Sequence, residues 1–252
     1  MVNLPGFADA LDRARSGPAL SLGLHLNLTA GRPLAHVPSL TRRSTGEFYP
    51  LPALVARASL GLLDQWDIAR ECLAQIDRMS EAGFPPTHLD SHRHVHAHPA
   101  ISSAVITAAA SRGVFQVRVP TEPLWVNALD WRATLKKAGL LACARLSRRT
   151  SGNDRTIHFV GLSLQGGRSF ARRLFALISR LPAGTTELMT HPGYADDSLA
   201  ERDSYTLERE TELRVLCSRE FRELLARSAV NLTSFADGSS TVSRQHQLAQ
   251  HH

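Results

Sequence analysis

Hydrophobic positions along the chain switch between two periods. Short apolar runs of strand character occur at Leu20 to Thr29, Thr87 to His92, Val114 to Val119, Thr156 to Leu162, Thr186 to Thr190 and Val230 to Phe235. Between them, apolar residues recur every three or four positions, which predicts helices over Trp66 to Ala82, Ala100 to Arg112, Leu129 to Arg148, Phe170 to Leu181 and Leu207 to Ser228. Phe7 to Arg15 reads as the end of a further helical unit. Strands alternating with helices predict an α/β fold with a mostly parallel sheet, open or closed into a barrel, because parallel neighbours need a crossover to join them. In such folds ligands gather at the carboxyl ends of the strands. Pro33 to Pro52 is a polar, proline-punctuated connection, read as a surface loop or as a cover for a barrel mouth. With no internal repeat or linker, residues 1–237 are expected to form a single domain and 238–252 a frayed polar tail.

Polar residues interrupt this pattern at three strand ends. The segment Thr87-His88-Leu89-Asp90-Ser91-His92-Arg93-His94-Val95-His96-Ala97-His98-Pro99 holds five of the twelve histidines, all at even positions and in register with Asp90. On a strand, side chains two apart share a face, so His88, Asp90 and His92 are expected to project together. In Gly23-Leu24-His25-Leu26-Asn27-Leu28-Thr29, His25 and Asn27 alternate with leucines in the same way. In Glu187-Leu188-Met189-Thr190-His191-Pro192-Gly193-Tyr194, His191 ends an apolar strand just before a Pro-Gly turn, where a side chain points into a site. Neutral imidazoles ligate zinc well and other divalent ions acceptably, and a carboxylate would complete the set. Such an ion activates water for attack on a carbonyl. The developing oxyanion then needs positive charge, from the metal or from Arg118, and the leaving amine needs a proton donor, for which His191 has a suitable intrinsic pKa.

Composition narrows the class. A length of 252 residues with 43% hydrophobic content supports one sizeable core. No run reaches the roughly 18 apolar residues of a membrane span, and the start, Met-Val-Asn-Leu-Pro-Gly-Phe, lacks the flank and apolar core of a signal peptide. Three cysteines, Cys72, Cys143 and Cys217, are too few and too dispersed for a disulfide framework, so buried thiols in a reducing cytoplasm are expected. The formal charge of +6 raises nucleic acid as a partner. The basic residues are scattered and aromatics make up only 6%, so solvated faces account for pairs such as Arg42-Arg43, Arg148-Arg149 and Arg172-Arg173, and nucleic acid is not expected.

The motifs GLHLNLTAGRP, THLDSHRHVH and ELMTHPGY, in this order, resemble those of the YdjC-like carbohydrate deacetylases, which include chitooligosaccharide and hopanoid-biosynthesis-associated members. The likeness runs from Met1 to about Asp237. It implies a distorted TIM-like (β/α) barrel that removes the acetyl group from an N-acetylated amino sugar, glycoconjugate or glycolipid, using one divalent ion, magnesium or zinc. By motif position the metal histidines fall on His25 and His92. Asp90 and His191 are the implied catalytic residues, and Arg118 is either a substrate-binding residue or a surface arginine at a strand end. His88, His94, His96 and His98 read as supports of the site.

One part of the family pattern is absent. Family members begin with a strand ending in an Asn-Ala-Asp-Asp-Phe-Gly-like motif that supplies a metal-binding and a general-base aspartate. Without about one βα unit, the barrel is expected to be incomplete at its N-terminus, with an open seam that favours homo-oligomers. Two explanations compete: a start assigned too late on an active hydrolase, or a non-catalytic remnant that keeps a sugar- or metal-binding barrel. A phosphoesterase on a similar barrel is a third reading.

Overall fold

The computed structural model describes residues 1–17, 20–124, 131–148, 157–165, 169–200 and 203–237. Leu129, Arg149, Thr156 and the tail from Gly238, all named above, lie outside them. As far as they are described, the residues fall into two compact units. One comprises Met1–Arg118, Cys143–Asn153 and Thr233–His252, the other Val119–Ala142 and Asp154–Leu232.

The first unit contains α1 (Phe7–Ser16), β1 (Leu24–Leu26), α2 (Leu51–Ser59), α3 (Gln65–Glu81), β2 (Leu89–Ser91) and α4 (Pro99–Ser111). Strands β1 and β2 pair in parallel, with His25 opposite Asp90. The expected strand at Val114 to Val119 reduces to a single parallel bridge between Leu89 and Val117, flanked by Leu89 N–H to Gln116 O (2.8 Å) and Arg118 N–H to Leu89 O (2.9 Å). Those two bonds fix Arg118 beside β2. The period of two is visible in burial: Leu24, Leu26 and Leu28 are enclosed by Leu89, by Ile68, Cys72, Ile76 and Met79 of α3, and by Ile101 and Val105 of α4. Burying a leucine fully stabilises by roughly 1.5–3 kcal/mol, so the leucines pin β1 and leave His25 on its other side.

Helix α3 carries a second stripe, a polar one. Asp67, Glu71 and Gln75, spaced i, i+4 and i+8, are all buried and accept from backbone amides of the chain that follows β1. Asp67 takes Ser39 N–H (2.8 Å), Glu71 takes Leu34 and Ala35 N–H (3.0 and 2.9 Å), and Gln75 takes Asn27 N–H (3.0 Å). Burial pushes the Glu71 carboxyl pKa up, against the pull of these amides and of Gln75. Pro33 to Pro52 is therefore not a surface loop: Val37, Leu40 and Phe48 enter the core, and α2 begins at Leu51, unforeseen in the sequence pattern.

The second unit contains α5 (Trp131–Arg148) as far as Ala142, β3 (His158–Val160), α6 (Phe170–Ile178), β4 (Thr186–Leu188), α7 (Asp197–Ala200), α8 (Leu207–Leu216) and α9 (Arg219–Arg227). Strands β3 and β4 are parallel, Phe159 opposite Glu187. Gly161 follows β3 with φ of 121°, and a Cβ there would lie 2.3 Å from Met189 O, so only glycine lets the two strand ends meet. Phe170, Leu174, Leu177 and Ile178 of α6 pack with Phe221, Leu224 and Leu225 of α9 around Val160 and Leu164.

Three expectations are corrected here. The single helix at Leu207 to Ser228 is two helices, because Ser218 turns extended and its hydroxyl caps α9 by accepting Phe221 N–H (3.1 Å). Val230 to Phe235 forms no strand: Ala229 adopts φ of 50°, Leu232 is exposed, and no described strand pairs with the segment. The three thiols are not alike, with Cys72 buried, Cys143 half-buried and Cys217 exposed. Among the described residues, parallel α/β character holds in both units, each with one two-stranded sheet, and the strands form no closed ring. No described helix is long and apolar enough to cross a membrane.

Candidate functional site

In the first unit the β1–β2 pairing brings His25 and Asp90 side by side. His25 Nδ1 lies 2.8 Å from Asp90 Oδ1, and the other carboxylate oxygen accepts from Arg118 Nη1. Burial alone would raise the Asp90 pKa. The hydrogen bond and charge of His25, with the charges of Arg118 and His96, outweigh it and hold the carboxyl well below the usual carboxylate range. An ionised carboxylate only accepts, so His25 Nδ1 carries a proton and Nε2 is the ring nitrogen turned away from Asp90. The His25 side chain is 39% exposed and that of Asp90 13%. The imidazole is therefore the accessible member of the pair and the carboxylate its sheltered support.

His92 follows β2 directly. The chain then turns sharply, with Arg93 and His94 both left-handed at φ of 60° and 56°, a conformation costly for non-glycine residues and frequent at functional sites. His92 Nδ1 is 2.6 Å from Thr29 Oγ1, and its ring meets that of His25 edge-on with centroids 6.0 Å apart. One ion with metal–nitrogen bonds of about 2.0–2.1 Å can bridge that span. Thr29 is held in turn by Asn27, whose Oδ1 accepts Thr29 and Ala30 N–H (both 3.1 Å). Asn27 is fully buried and exchanges two backbone bonds with Gln75.

Three of the other motif histidines have structural duties. His96 is buried; its Nε2 donates to Arg118 O (2.8 Å) and its Nδ1 faces Ser91 Oγ (2.5 Å). Burial lowers its pKa to about 4, so Nδ1 accepts the Ser91 hydroxyl proton. His88, lowered to about 4 by burial, stacks on Phe235 with ring centroids 4.1 Å apart. His98 caps α4, its Nδ1 accepting Ala100 N–H (3.2 Å).

His191 belongs to the second unit, just beyond β4. Its backbone N–H donates to Glu212 Oε2 of α8 (2.5 Å), its ring meets the Tyr205 ring edge-on at 5.9 Å, and Gln165 Nε2 lies 3.4 and 3.3 Å from its two ring nitrogens.

The structure thus gathers His25, Asp90, His92 and Arg118 in one unit and gives His191 its own surroundings in the other. Among the described residues no group of three or more His, Cys, Asp or Glu side chains converges as a metal site. Two imidazoles, each anchored through Nδ1 by an oxygen, still suit a divalent ion, because that is how ligating histidines are oriented. Thr29, Gln75, Tyr205 and Glu212 were not anticipated from the sequence.

Known proteins resemble this chain over most of its length. A carbohydrate deacetylase of Brevibacillus brevis is 32% identical over 242 residues, covering 94% of this chain and 86% of the relative. Another from Geobacillus stearothermophilus is 32% identical over 240 residues, covering 94% and 84%. A chitooligosaccharide deacetylase of Yersinia pestis is 31% identical over 241 residues, covering 94% and 85%. Among solved structures, an Enterococcus faecalis V583 protein provisionally described as a cellobiose-phosphate cleavage protein superposes with a TM-score of 0.71 at 20% identity, over 94% of this chain and 85% of that one. It shares the fold. The pattern of the family described as YdjC-like protein matches residues 1–227, and the chain belongs to that family.

Proposed function

We propose that this protein is a carbohydrate deacetylase that hydrolyses the acetamide of an N-acetylated amino sugar or glycoconjugate. The observation that carries the reading is the edge-on pair His25 and His92, each tied at Nδ1 to an oxygen, 6.0 Å apart. The names of the relatives supply the substrate class.

His25 and His92 would hold one divalent ion, zinc or magnesium, leaving the rest of its coordination sphere to water, substrate or a carboxylate. When bound, such an ion supplies Lewis acidity toward the acetyl group. Asp90 keeps the His25 tautomer fixed and balances Arg118. Arg118 places positive charge beside the pair, the side on which an acyl oxygen gains negative charge. His191 is assigned the proton donor to the departing amine, on its chemistry and its motif.

The reading is tested by acetate release from N-acetylglucosamine oligomers, with phosphate esters as the competing substrate class. Chelator-sensitive acetate release that is lost in His92→Ala is expected. Full activity in His92→Ala, or turnover of phosphate esters alone, overturns it.

A further inference from the structure

Helix α8 fastens the loop that carries His191 at three points. Glu212 Oε2 accepts His191 N–H (2.5 Å), Arg209 O accepts Gly193 N–H (3.3 Å) and Glu210 Oε1 accepts Ala195 N–H (3.0 Å). Of these, Glu212 differs in kind. It is a carboxylate only 1% exposed, and burying one costs several kcal/mol unless its oxygens are used. Both are: one holds the backbone of His191, and the other accepts the Tyr205 hydroxyl. The same Tyr205 presents its ring edge-on to the His191 imidazole at 5.9 Å. Tyr205 is itself fixed, because Arg209 donates to its carbonyl (2.7 Å) and lies over its ring, while Asp203 accepts from both Arg209 (2.7 Å) and Tyr205 N–H (3.0 Å).

Gly193 shows that a plain backbone bond suffices to fasten this loop. A buried carboxylate at the position next to the imidazole instead couples the backbone of His191 to the ring that bounds its face. We propose that Glu212, acting with Tyr205, is a positioning residue that sets where the His191 imidazole delivers its proton. The inference rests on the deacetylase reading and on His191 as its proton donor. Misplacement by about 1 Å can cost about 10²-fold in rate without loss of binding, so the effect should appear in kcat.

The test is a double-variant comparison of steady-state acetate release from N-acetylglucosamine oligomers by the full chain, in wild-type and His191→Ala backgrounds. Tyr205→Phe, which removes one hydroxyl and is expected to fold, should lower kcat about tenfold with KM unchanged. Glu212→Ala should lower kcat about 10²-fold. Glu212→Gln should recover most of that loss, since its Oε1 still accepts His191 N–H. In the His191→Ala background the same changes should cost nothing further. Falls of equal size in both backgrounds, or an unchanged kcat in folded Tyr205→Phe, overturn the inference. Wild-type kcat in His191→Ala is a separate result, which removes the proton-donor assignment itself and the inference with it.

Discussion

Thr29 Oγ1 lies 2.6 Å from Nδ1 of His92, a contact that joins the end of the β1 segment to the first residue after β2. It mirrors the bond between Asp90 and His25, so each of the two facing imidazoles has an oxygen partner behind it. Such partners fix ring orientation, and their removal costs about 10–100-fold in metal affinity or activity. Thr29→Val keeps the shape and deletes the hydroxyl. Zinc affinity measured by competition with a chromophoric chelator is expected to fall within that range, with the fold intact by circular dichroism. Unchanged affinity would mean that His92 is oriented by something else.

Stability should depend on pH through the buried histidines. His96 and His88 have pKa values lowered to about 4, from 6.5, by burial. The unfolded chain therefore binds more protons between pH 6.5 and 4. The stabilisation from neutral, buried imidazoles is complete above pH 6.5 and is lost as pH falls toward 4. For His96 the slope approaches about 1.4 kcal/mol per pH unit. Urea unfolding of metal-free protein between pH 7.5 and 4.5 should show this loss, and His96→Asn should flatten it. A midpoint independent of pH in the unaltered protein contradicts the assignment.

Gly23 should not tolerate a side chain. A Cβ there would lie 2.3 Å from Nε2 of His88, and that ring is backed by Phe235. Gly23→Ala is expected to destabilise by about 1–3 kcal/mol, the range of overpacked sites. A thermal midpoint equal to that of the unaltered protein would show that the His88 ring is free to move.

The turn after His92 stores backbone strain at two non-glycine residues, Arg93 and His94. Left-handed conformation costs roughly 1–2 kcal/mol per residue, so Arg93→Gly should raise stability by up to about 1 kcal/mol, part of the relief being offset by unfolded-state entropy. A loss of stability would show that the Arg93 side chain contributes more than its backbone costs.

Much of the site was legible in the chain because β-structure writes its geometry as a period of two. His25 between Leu24 and Leu26, and Asp90 between Leu89 and Ser91, could be placed on one side of their strands by alternation alone, and their pairing follows from the parallel register. The Thr29–His92 contact could not be read, because it depends on a turn shaped by Asn27 and Gln75, which are 48 residues apart. Val230 to Phe235 misled for the opposite reason. Its composition suits a strand, but strand formation needs a partner edge, and Phe235 instead supplies an aromatic face to His88. The buried acid stripe of α3 was masked by its own spacing, since Asp67, Glu71 and Gln75 also fit the exposed face of an amphipathic helix.

The central claim is that two imidazoles from separate strand ends share one ion. Equilibrium titration of metal-free protein with zinc, in the unaltered chain and in His25→Ala and His92→Ala, tests it most directly. One ion per chain is expected, with affinity reduced more than about 10²-fold in each variant. Binding of equal strength in either variant, or no binding by the unaltered chain, contradicts it.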